Sequence, residues 1–387
     1  MTASQLDYRP TSLDVRLSDW RTAGFHEEAM LPQPDVRVSV STAGQLIDAV
    51  RSKQPGVIFL HPGLYELTVQ LSLVSRMVLR GAGQNVVTLY FPSSLKAIYG
   101  NSPDANSVNR YGYASDFAFI TSGRNLFSGA GANENVGIED LTIEFNSSVV
   151  ASHHQEKGYN AIEWNQSTNS WVRRVRILNA DNALRFERCM YCIGEDLIID
   201  APKRPTAVGS VYGHYAFQLF HGHHNLIRRF EVRKPTWHDC STEDVTLCVY
   251  CDGKGADINF DHHRDNPHHN LYTNINVGRG SRVFYSGGPT SGHGPHSGPG
   301  DVYWNIRKGT GAPITLLPPT DPTLWDQRYA IIGHTQSHLN SDPAKRWVEG
   351  IWPVEPVNLY LAQRGEVSVP PPSSNKFAIG DRVKATN

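Results

Sequence analysis

A repeat in the centre of the chain constrains the fold more than any other feature of the sequence. Three segments align without gaps: AIEWNQSTNSWVRRVRI (161–177), ALRFERCMYCIGEDLII (183–199) and AFQLFHGHHNLIRRFEV (216–232). Each begins with Ala, has a large apolar residue at its fourth position and ends in Ile or Val. VGIEDLTI (136–143) and NLYTNINV (270–277) match the second half of the repeat. Repeat starts 22 and 33 residues apart suit a coil of short strands with one variable loop.

Within each repeat, apolar and polar residues alternate with a period of two. Ile162 and Trp164 alternate with Glu163 and Asn165, which is the pattern of a half-buried strand. A propeller blade needs about 40 residues. A Rossmann-type parallel sheet needs helices between its strands. The repeat therefore predicts the stacked rungs of a parallel β-helix, with an all-β sandwich as the alternative.

The two ends of the chain differ from its centre. Residues 1–34 show no sustained period and are predicted to form an irregular arm. STAGQLIDAVRS (41–52) predicts a helix capped by Ser41 or Thr42. GVIFLHPGLYEL (56–67) then predicts two strands around a Pro-Gly turn.

The composition changes again near the C-terminus. VSVPPPSSNK (367–376) is typical of a proline-rich linker. FAIGDRVKATN (377–387) resembles the opening strand of bacterial Src-homology-3-like modules. We therefore expect a β-helix domain over 35–365, followed over 366–387 by a linker and the start of a truncated module.

The capping helix, the GVIFLHPGLYEL strand pair, LRGAG and the 22-residue rungs together resemble the pectate-lyase-like right-handed parallel β-helix superfamily over 35–310. LSDWRTAGFHEEAMLP (17–32) is similar to the entry segment of some secreted bacterial members. The resemblance implies an all-β, right-handed parallel β-helix with a short N-terminal capping helix. It also implies a bacterial enzyme, secreted or at the cell surface, that acts on an acidic polysaccharide. Lyases, hydrolases, epimerases, esterases and tailspikes share this fold, so the fold does not choose the reaction.

Charge and hydropathy exclude several other classes. Lys and Arg number 36 against 37 acidic residues, which argues against a nucleic-acid partner. No run approaches 18 apolar residues, so a membrane span is not expected. The expected partner is a polysaccharide substrate, bound by a monomer.

The five cysteines leave several interpretations open. Two Cys-x-x-Cys pairs could form a zinc site, one or two disulfides, or buried free thiols. The residues concerned are Cys189, Cys192, Cys240, Cys248 and Cys251.

Side chains fill the inside of a β-helix, so a substrate must bind in an outer groove. HYAFQLFHGHHN (214–225) supplies the first cluster of candidates. His221 and His223 occupy turn positions where the earlier repeats have other residues, so the fold does not require histidine there. His214 and the outward-facing Arg185 are candidate substrate ligands.

ADINFDHHRDNPHHN (256–270) is the densest ionisable patch of the chain. Asp257, Asp261 and His263 share one parity and should line the groove, with Ala256 on the inward side. Carboxylate oxygens are suitable ligands for Ca²⁺, so Asp257 and Asp261 are candidate ligands for this cofactor.

The patch favours β-elimination, in which a base removes the proton next to a uronate carboxyl group while a cation neutralises that group. His221 or His263 is the candidate base. Arg264 or Arg282 is the candidate ligand of the uronate carboxylate. Tyr285 is the candidate acid for the leaving oxygen.

Three further candidates come from neighbouring segments. His238 and Asp239 are adjacent in an expected loop, where Asp239 could orient a histidine. Trp304 could stack on a sugar ring or belong to the core of a rung.

Glycoside hydrolysis is the alternative reaction, and it needs two carboxyl groups at a fixed separation. Asp257 and Asp261 would lie about 13 Å apart along one strand, which is too far. Carboxylates from adjacent rungs, such as Asp239 and Asp261, would be needed. A third possibility is zinc held by His221 and His223 with His262 or His263. The second alternative function is a non-catalytic glycan-binding β-helix.

Overall fold

The computed structural model describes residues 17–24, 34–99, 118–122, 132–153, 155–205, 207–288, 290–337 and 345–366. Most of the predicted arm, and the predicted linker and truncated module beyond residue 366, lie outside the described residues.

Short strands dominate the described chain. Its first part contains β1 (Val36–Val40), α1 (Ala43–Arg51), β2 (Gly56–Leu60), β3 (Gly63–Glu66), β4 (Leu71–Leu73), β5 (Met77–Gly81), β6 (Val87–Phe91), α2 (Leu95–Tyr99) and β7 (Ile120–Ser122). Its central part contains β8 (Asn133–Glu134), β9 (Gly137–Phe145), β10 (Asn160–Asn165), β11 (Ser167–Thr168), β12 (Trp171–Leu178), β13 (Asn182–Glu187), β14 (Ile193–Asp200), β15 (Tyr215–Phe220) and β16 (Leu226–Val232). Its last part contains β17 (His238–Glu243), β18 (Val249–Cys251), β19 (Lys254–Gly255), β20 (Phe260–Arg264), β21 (Leu271–Asn276), β22 (Val302–Arg307), β23 (Ala330–Ile332), β24 (Trp347–Glu349) and α3 (Leu359–Gln363).

These strands form three parallel sheets. The largest has 15 strands and follows the path β1-β2-β5-β9-β12-β14-β16-β18-β21-β22-β23-β24, with β3, β6 and β19 beside it. The second sheet runs β20-β17-β15-β13-β10-β7-β4, and β11 pairs with β8 in a third. Every strand pair in them is parallel. Successive coils thus add neighbouring strands to each sheet, which confirms the predicted parallel β-helix. The sandwich alternative is wrong, since its sheets would be antiparallel.

The strand register reproduces the alignment of the sequence repeats. Ile162 pairs with Leu184, which pairs with Phe217, as the alignment of the three initial Ala residues requires. The same row continues through Cys240 to Phe260, and all five side chains belong to the apolar core. The predicted helix is also confirmed as α1, whose N-cap hydroxyl of Thr42 accepts a hydrogen bond from Gln45 N.

All five cysteines are buried free thiols, so the disulfide interpretation of the Cys-x-x-Cys pairs is wrong. The zinc interpretation is wrong as well, because no cysteine belongs to a cluster of the described residues that could hold a metal ion. Their thiols lie against backbone carbonyls of the core, as in the 3.2 Å contact from Cys189 Sγ to Trp164 O. Burial raises the pKa of Cys248 to about 12, which keeps its thiol protonated. No helix within the described ranges is both long and apolar enough to span a bilayer.

A buried polar ladder joins successive turns of the coil. Asn225 Oδ1 accepts from Cys192 N at 3.0 Å, and Asn270 Oδ1 accepts from Cys248 N at 3.0 Å. In the next coil, Asp301 Oδ1 takes the same role by accepting from Asn270 N at 2.8 Å. An acidic residue thus occupies a position that asparagine fills elsewhere in the ladder.

Burial raises the pKa of Asp301 to about 8, so this carboxyl group is mainly protonated at neutral pH. The unfolded chain releases that proton above about pH 4. Stability therefore falls as the pH rises from about 4 to about 8. We expect Asp301→Asn to raise the free energy of unfolding by about 1–2 kcal/mol near pH 8 and to leave it no higher than that of the wild type near pH 4. Urea unfolding at both pH values checks this, and a variant less stable than the wild type near pH 8 would contradict it.

Candidate active site

The outer face of the second sheet presents two rows of polar side chains, one residue from each coil. β10, β13, β15, β17 and β20 are neighbours in this sheet. Their register places Glu163, Arg185, Gln218, Ser241 and Asp261 in one row. Strands about 4.8 Å apart extend this row over roughly 19 Å, which is long enough for an extended polymer to follow.

The second row runs beside the first along the same strands. Asn165, Glu187, Phe220, Glu243 and Arg264 occupy successive positions in it. Two carboxylates and a guanidinium therefore flank one aromatic ring. The two rows together are called the groove.

A β-bulge decides which histidines of β20 face the groove. Thr242 pairs with His262, but Glu243 pairs with Arg264, so His263 is an extra residue in the strand. His262 points into the core, where its Nε2 lies 2.7 Å from the Tyr303 hydroxyl. Burial lowers the pKa of His262 to about 3. His263 remains on the outer side and is one-eighth exposed.

Asp261 is the electrostatic centre of the site. Its Oδ2 lies 3.2 Å from His263 Nδ1 and accepts a 2.6 Å hydrogen bond from Ser241 Oγ. Its Oδ1 accepts from Gly287 N at 2.8 Å. His238 Nδ1 is 3.1 Å from Oδ2 but is not aligned for a hydrogen bond, so this contact is electrostatic.

The pKa of Asp261 and the pKa of His263 both depend on the charged groups beside them. Burial alone would raise the pKa of Asp261, but facing His238 and His263 holds it well below its ordinary value. Burial alone would lower the pKa of His263, but Asp261 outweighs burial and the net pKa is raised. Asp261 therefore orients His263 through Nδ1, and the Nε2 atom is left for chemistry.

Sequence reasoning missed Tyr215. Its hydroxyl lies 3.4 Å from His263 Nε2, and its ring stacks on His214 and His238 with centroids 4.4 and 4.7 Å away. Burial raises the pKa of Tyr215 well above its ordinary value. The repeat alignment could have indicated it, because Tyr215 directly precedes Ala216, the first residue of the third repeat. In the sheet, Tyr215 pairs with His238 of the next coil.

The segment between β9 and β10, which carries His153 and Glu156, borders the site on one side. His153 Nε2 lies 3.0 Å from His214 Nε2, and His214 Nδ1 lies 2.9 Å from Glu156 Oε1. The rings of His153 and Trp237 approach to 5.1 Å. This segment is therefore held against the start of β15 and β17.

His221 lies between the two carboxylates of the second row. Its Nδ1 is 3.1 Å from Glu187 Oε1, and its Nε2 is 3.7 Å from Glu243 Oε1. Burial alone would raise the pKa of Glu187, but Arg185 and His221 lower it to about 2. The contact with Glu187 raises the pKa of His221. His221 faces a carboxylate with each nitrogen, whereas His263 faces a carboxylate only through Nδ1, so His221 is better placed as a cation of the groove.

The raised pKa of His221 predicts a pH-dependent stability. Charged His221 stabilises the fold fully below the unfolded-state pKa of about 6.5, and this contribution is lost as the pH rises through the folded-state pKa. Glu187 stays ionised throughout, because its pKa is about 2. We expect His221→Gln to lower the melting temperature at about pH 6 and to have a smaller effect at about pH 8. Thermal unfolding at the two pH values checks this, and an equal loss at both would contradict it.

Gln218 lies in the first row with an unsatisfied amide. Its side chain is 1 % exposed, yet neither its Nε2 nor its Oε1 has a hydrogen-bond partner among the described residues. Buried polar groups are normally hydrogen-bonded, and an exception is a candidate ligand contact. Arg185 is adjacent in the row and packs its guanidinium 5.1 Å over the Phe220 ring.

Arg282 and Asp239 do not serve the groove as predicted. Arg282 donates to Asp239 Oδ2 and, at 3.0 Å, to Asp257 O, so other partners already hold its guanidinium. Asp239 is fully buried and accepts from Thr236 N at 2.8 Å. The expected loop around His238 is instead the start of β17.

The predicted pair of calcium ligands does not form. Asp257 accepts from Ser281 Oγ at 2.5 Å and lies 3.3 Å from Arg279, whereas Asp261 faces its two histidines. β20 begins after Asp257, so the assumption of one strand face over both residues is wrong. Ala256 is exposed, although its parity predicted an inward position. Among the described residues, the clusters able to hold a metal do not include Asp257.

Three other candidates lie away from the groove or outside its contacts. Trp304 is fully buried and donates to Pro356 O at 2.6 Å, so its prediction as a stacking platform is wrong. His223 sits in the turn row between β15 and β16, with its Nδ1 2.8 Å from His224 Nδ1. The predicted zinc set of His221 and His223 with His262 or His263 is not assembled, since none of the candidate metal clusters among the described residues joins His221 and His223. Tyr285 is half exposed, and its carbonyl accepts from Asn259 Nδ2 at 2.8 Å.

Fold and site define a parallel β-helix protein that carries acid, base and cationic side chains along one outer groove. No family model matches the chain, and no curated protein matches it. Similar solved structures include the catalytic domain of a GH87 alpha-1,3-glucanase, with 12 % identity over 81 % of this chain and 48 % of that chain, at a TM-score of 0.43. An alginate lyase from Paenibacillus sp. str. FPU-7 has 8 % identity over 70 % of this chain and 94 % of that chain, at a TM-score of 0.37. An exopolygalacturonase from Thermotoga maritima has 9 % identity over 82 % of this chain and 77 % of that chain, at a TM-score of 0.39.

The names of these three neighbours are those of a glucanase, an alginate lyase and an exopolygalacturonase. Their reactions differ, and their identities with this chain are very low. The similarity therefore concerns the fold alone, and the chemistry of this groove has to be argued from its own residues.

Proposed function

We propose that this protein cleaves an acidic, uronate-containing polysaccharide by β-elimination in the groove. The observation that carries the proposal is the connected set Asp261, His263 and Tyr215. Asp261 holds His263 Nδ1 at 3.2 Å, and His263 Nε2 lies 3.4 Å from the Tyr215 hydroxyl. A candidate base and a candidate proton donor are thus in contact with each other beside Asp261.

The elimination balances with these two side chains. His263 Nε2 takes the proton from the carbon next to the uronate carboxyl group. The electron pair of that C–H bond forms the new carbon–carbon double bond, and the glycosidic carbon–oxygen bond breaks. Tyr215 gives its proton to the leaving oxygen, and His263 then returns the abstracted proton to Tyr215 across their contact.

The substrate carboxylate requires its own stabilising contacts, because negative charge accumulates on it during proton removal. Gln218 supplies an amide that bonds to none of the residues the structure describes. Arg185 is its neighbour in the row, and Arg264 is about one-quarter exposed at the end of the second row. Gln218 is therefore the first candidate ligand of the carboxylate, and Arg185 and Arg264, which pair with Glu187 and Glu243, add positive charge beside it.

Hydrolysis is the second candidate, and one observation favours it. Glu187 and Glu243 come from coils two rungs apart and approach opposite nitrogens of the same imidazole, His221. This is the cross-rung arrangement that a hydrolase needs, although His221 fills the space between the carboxylates.

Either reaction on a large polymer is expected to take place outside the cell, with the protein secreted or held at the cell surface.

A panel of acidic polysaccharides distinguishes the candidate functions. Elimination produces an unsaturated uronate that absorbs in the ultraviolet, and it also produces new reducing ends. Reducing ends without that absorbance would contradict elimination and favour hydrolysis by Glu187 and Glu243. No product from any polymer, with binding retained on a glycan array, would favour a non-catalytic glycan-binding protein.

A further inference from the structure

Three histidines from separate parts of the chain converge beside the groove. His153, His214 and His238 each offer a ring nitrogen, and these three atoms lie within 4.8 Å of one another. His214 and His238 are about 97 % and 98 % buried. Their neighbour Tyr215 stacks on both rings and fixes the planes in which they lie.

Carboxylates face the Nδ1 atoms of two of these imidazoles. Glu156 Oε1 lies 2.9 Å from His214 Nδ1, and Asp261 Oδ2 lies 3.1 Å from His238 Nδ1. Histidines that bind a metal usually direct their other ring nitrogen to a carboxylate in this way. With both Nδ1 atoms facing carboxylates, the Nε2 atoms are the ones available to a ligand.

The Nε2 atoms are placed as a shared ligand would require. His153 Nε2 and His214 Nε2 lie 3.0 Å apart. His238 Nε2 is buried and has no hydrogen-bond partner within the described part of the chain. Nitrogens bound to one zinc ion at 2.0–2.1 Å in tetrahedral geometry lie about 3.3 Å apart. Small side-chain shifts would therefore bring all three nitrogens into bonding distance of one ion.

We propose that His153, His214 and His238 bind a divalent transition-metal ion, with zinc as the first choice. Three imidazoles suit zinc, whereas calcium takes oxygen ligands. Three protein ligands leave a fourth position for water or a substrate oxygen. The elimination described above does not require this ion, so the metal site goes beyond the proposed function.

Such a site would join distant parts of the coil. His153 follows β9, His214 directly precedes β15 and His238 begins β17. An ion between them would fix the segment that carries His153 against the groove. The side chains of His153 and Glu156 would then be ordered by the metal as well as by their protein contacts.

The test measures metal content and needs no substrate. The full chain is dialysed with zinc, then against buffer, and the bound zinc is determined. We expect one zinc per chain in the wild type, and at least about tenfold weaker binding in His153→Ala and in His238→Gln. His223→Ala is the matched control, because it removes a histidine from the distant turn row, and it should bind like the wild type.

Cobalt(II) supplies a second readout, since a tetrahedral histidine site gives it a visible absorption that zinc should displace. Circular dichroism shows whether each variant is folded. Of the two variants, His153→Ala is the one less expected to misfold, because His153 lies outside the strands. Wild type that binds no more zinc than His153→Ala, or binds calcium in its place, would overturn the proposal. Zinc binding without elimination would refute the proposed function and leave the metal site standing.

Discussion

Replacing His263 by Gln is expected to lower the rate of unsaturated-uronate formation by about 10²- to 10⁴-fold. Glutamine keeps a polar side chain near Asp261 but cannot accept the proton from the substrate carbon. The 3.4 Å contact with Tyr215 also loses its ring nitrogen, so the proton cannot return to the phenol. The initial rate of ultraviolet absorbance on the best polymer of the panel is the measurement.

Two companion variants make this prediction specific. Tyr215→Phe keeps the aromatic stack on His214 and His238 but removes the hydroxyl, and should lose activity to a similar degree. His223→Gln alters a histidine of the turn row and should retain the wild-type rate. Elimination that continues at the wild-type rate in His263→Gln would refute the assignment of the base.

The fold was predictable because it repeats. Each coil must place an apolar residue inward at the same position, so Ile162, Leu184 and Phe217 revealed their register in the sequence. Inward packing imposes this pattern on every rung, and a gap-free alignment is enough to find it. Asn225 and Asn270 also recur at equivalent turns, because each side chain accepts a hydrogen bond from the backbone of the preceding coil.

The site was less predictable because it depends on exceptions to the repeat. The bulge in β20 separates His262 from His263, and no alternation of polar and apolar residues indicates where a strand has an extra residue. Asp257 failed as a partner of Asp261 for a related reason, because the strand begins only at Phe260. Parity holds within a strand and fails at its ends.

Loops are the second limit on prediction. His153 reaches His214 across 61 positions of sequence, and nothing in the local pattern links them. Trp304 was a candidate for stacking on a sugar ring, but its side chain is fully buried in the fold. Side chains that the repeat does not constrain can be assigned only when the coil is seen in three dimensions.

The segment that carries His153 is fixed by a buried ion pair, and we expect its loss to destabilise the protein strongly. Arg204 is fully buried, and its Nη2 donates at 2.7 Å to both Asp181 Oδ1 and Ser147 Oγ. Asp181 in turn accepts from Tyr159 N at 3.0 Å, at the other end of the segment. Arg204→Met would leave the Asp181 carboxylate buried without its cation, at a cost of about 3–5 kcal/mol in the free energy of unfolding.

Urea unfolding of the wild type and the variant measures this loss. Arg233→Met is the matched control, because Arg233 is about two-fifths exposed and its 3.3 Å pair with Glu231 should contribute at most about 1 kcal/mol. Adding Asp181→Asn to Arg204→Met removes the unpaired charge and should recover part of the stability. If Arg204→Met lost no more than Arg233→Met, the ion pair would not be what holds this segment. The same segment places Glu156 beside His214. If Arg204→Met loosens this segment, the variant should therefore also bind zinc more weakly than the wild type does.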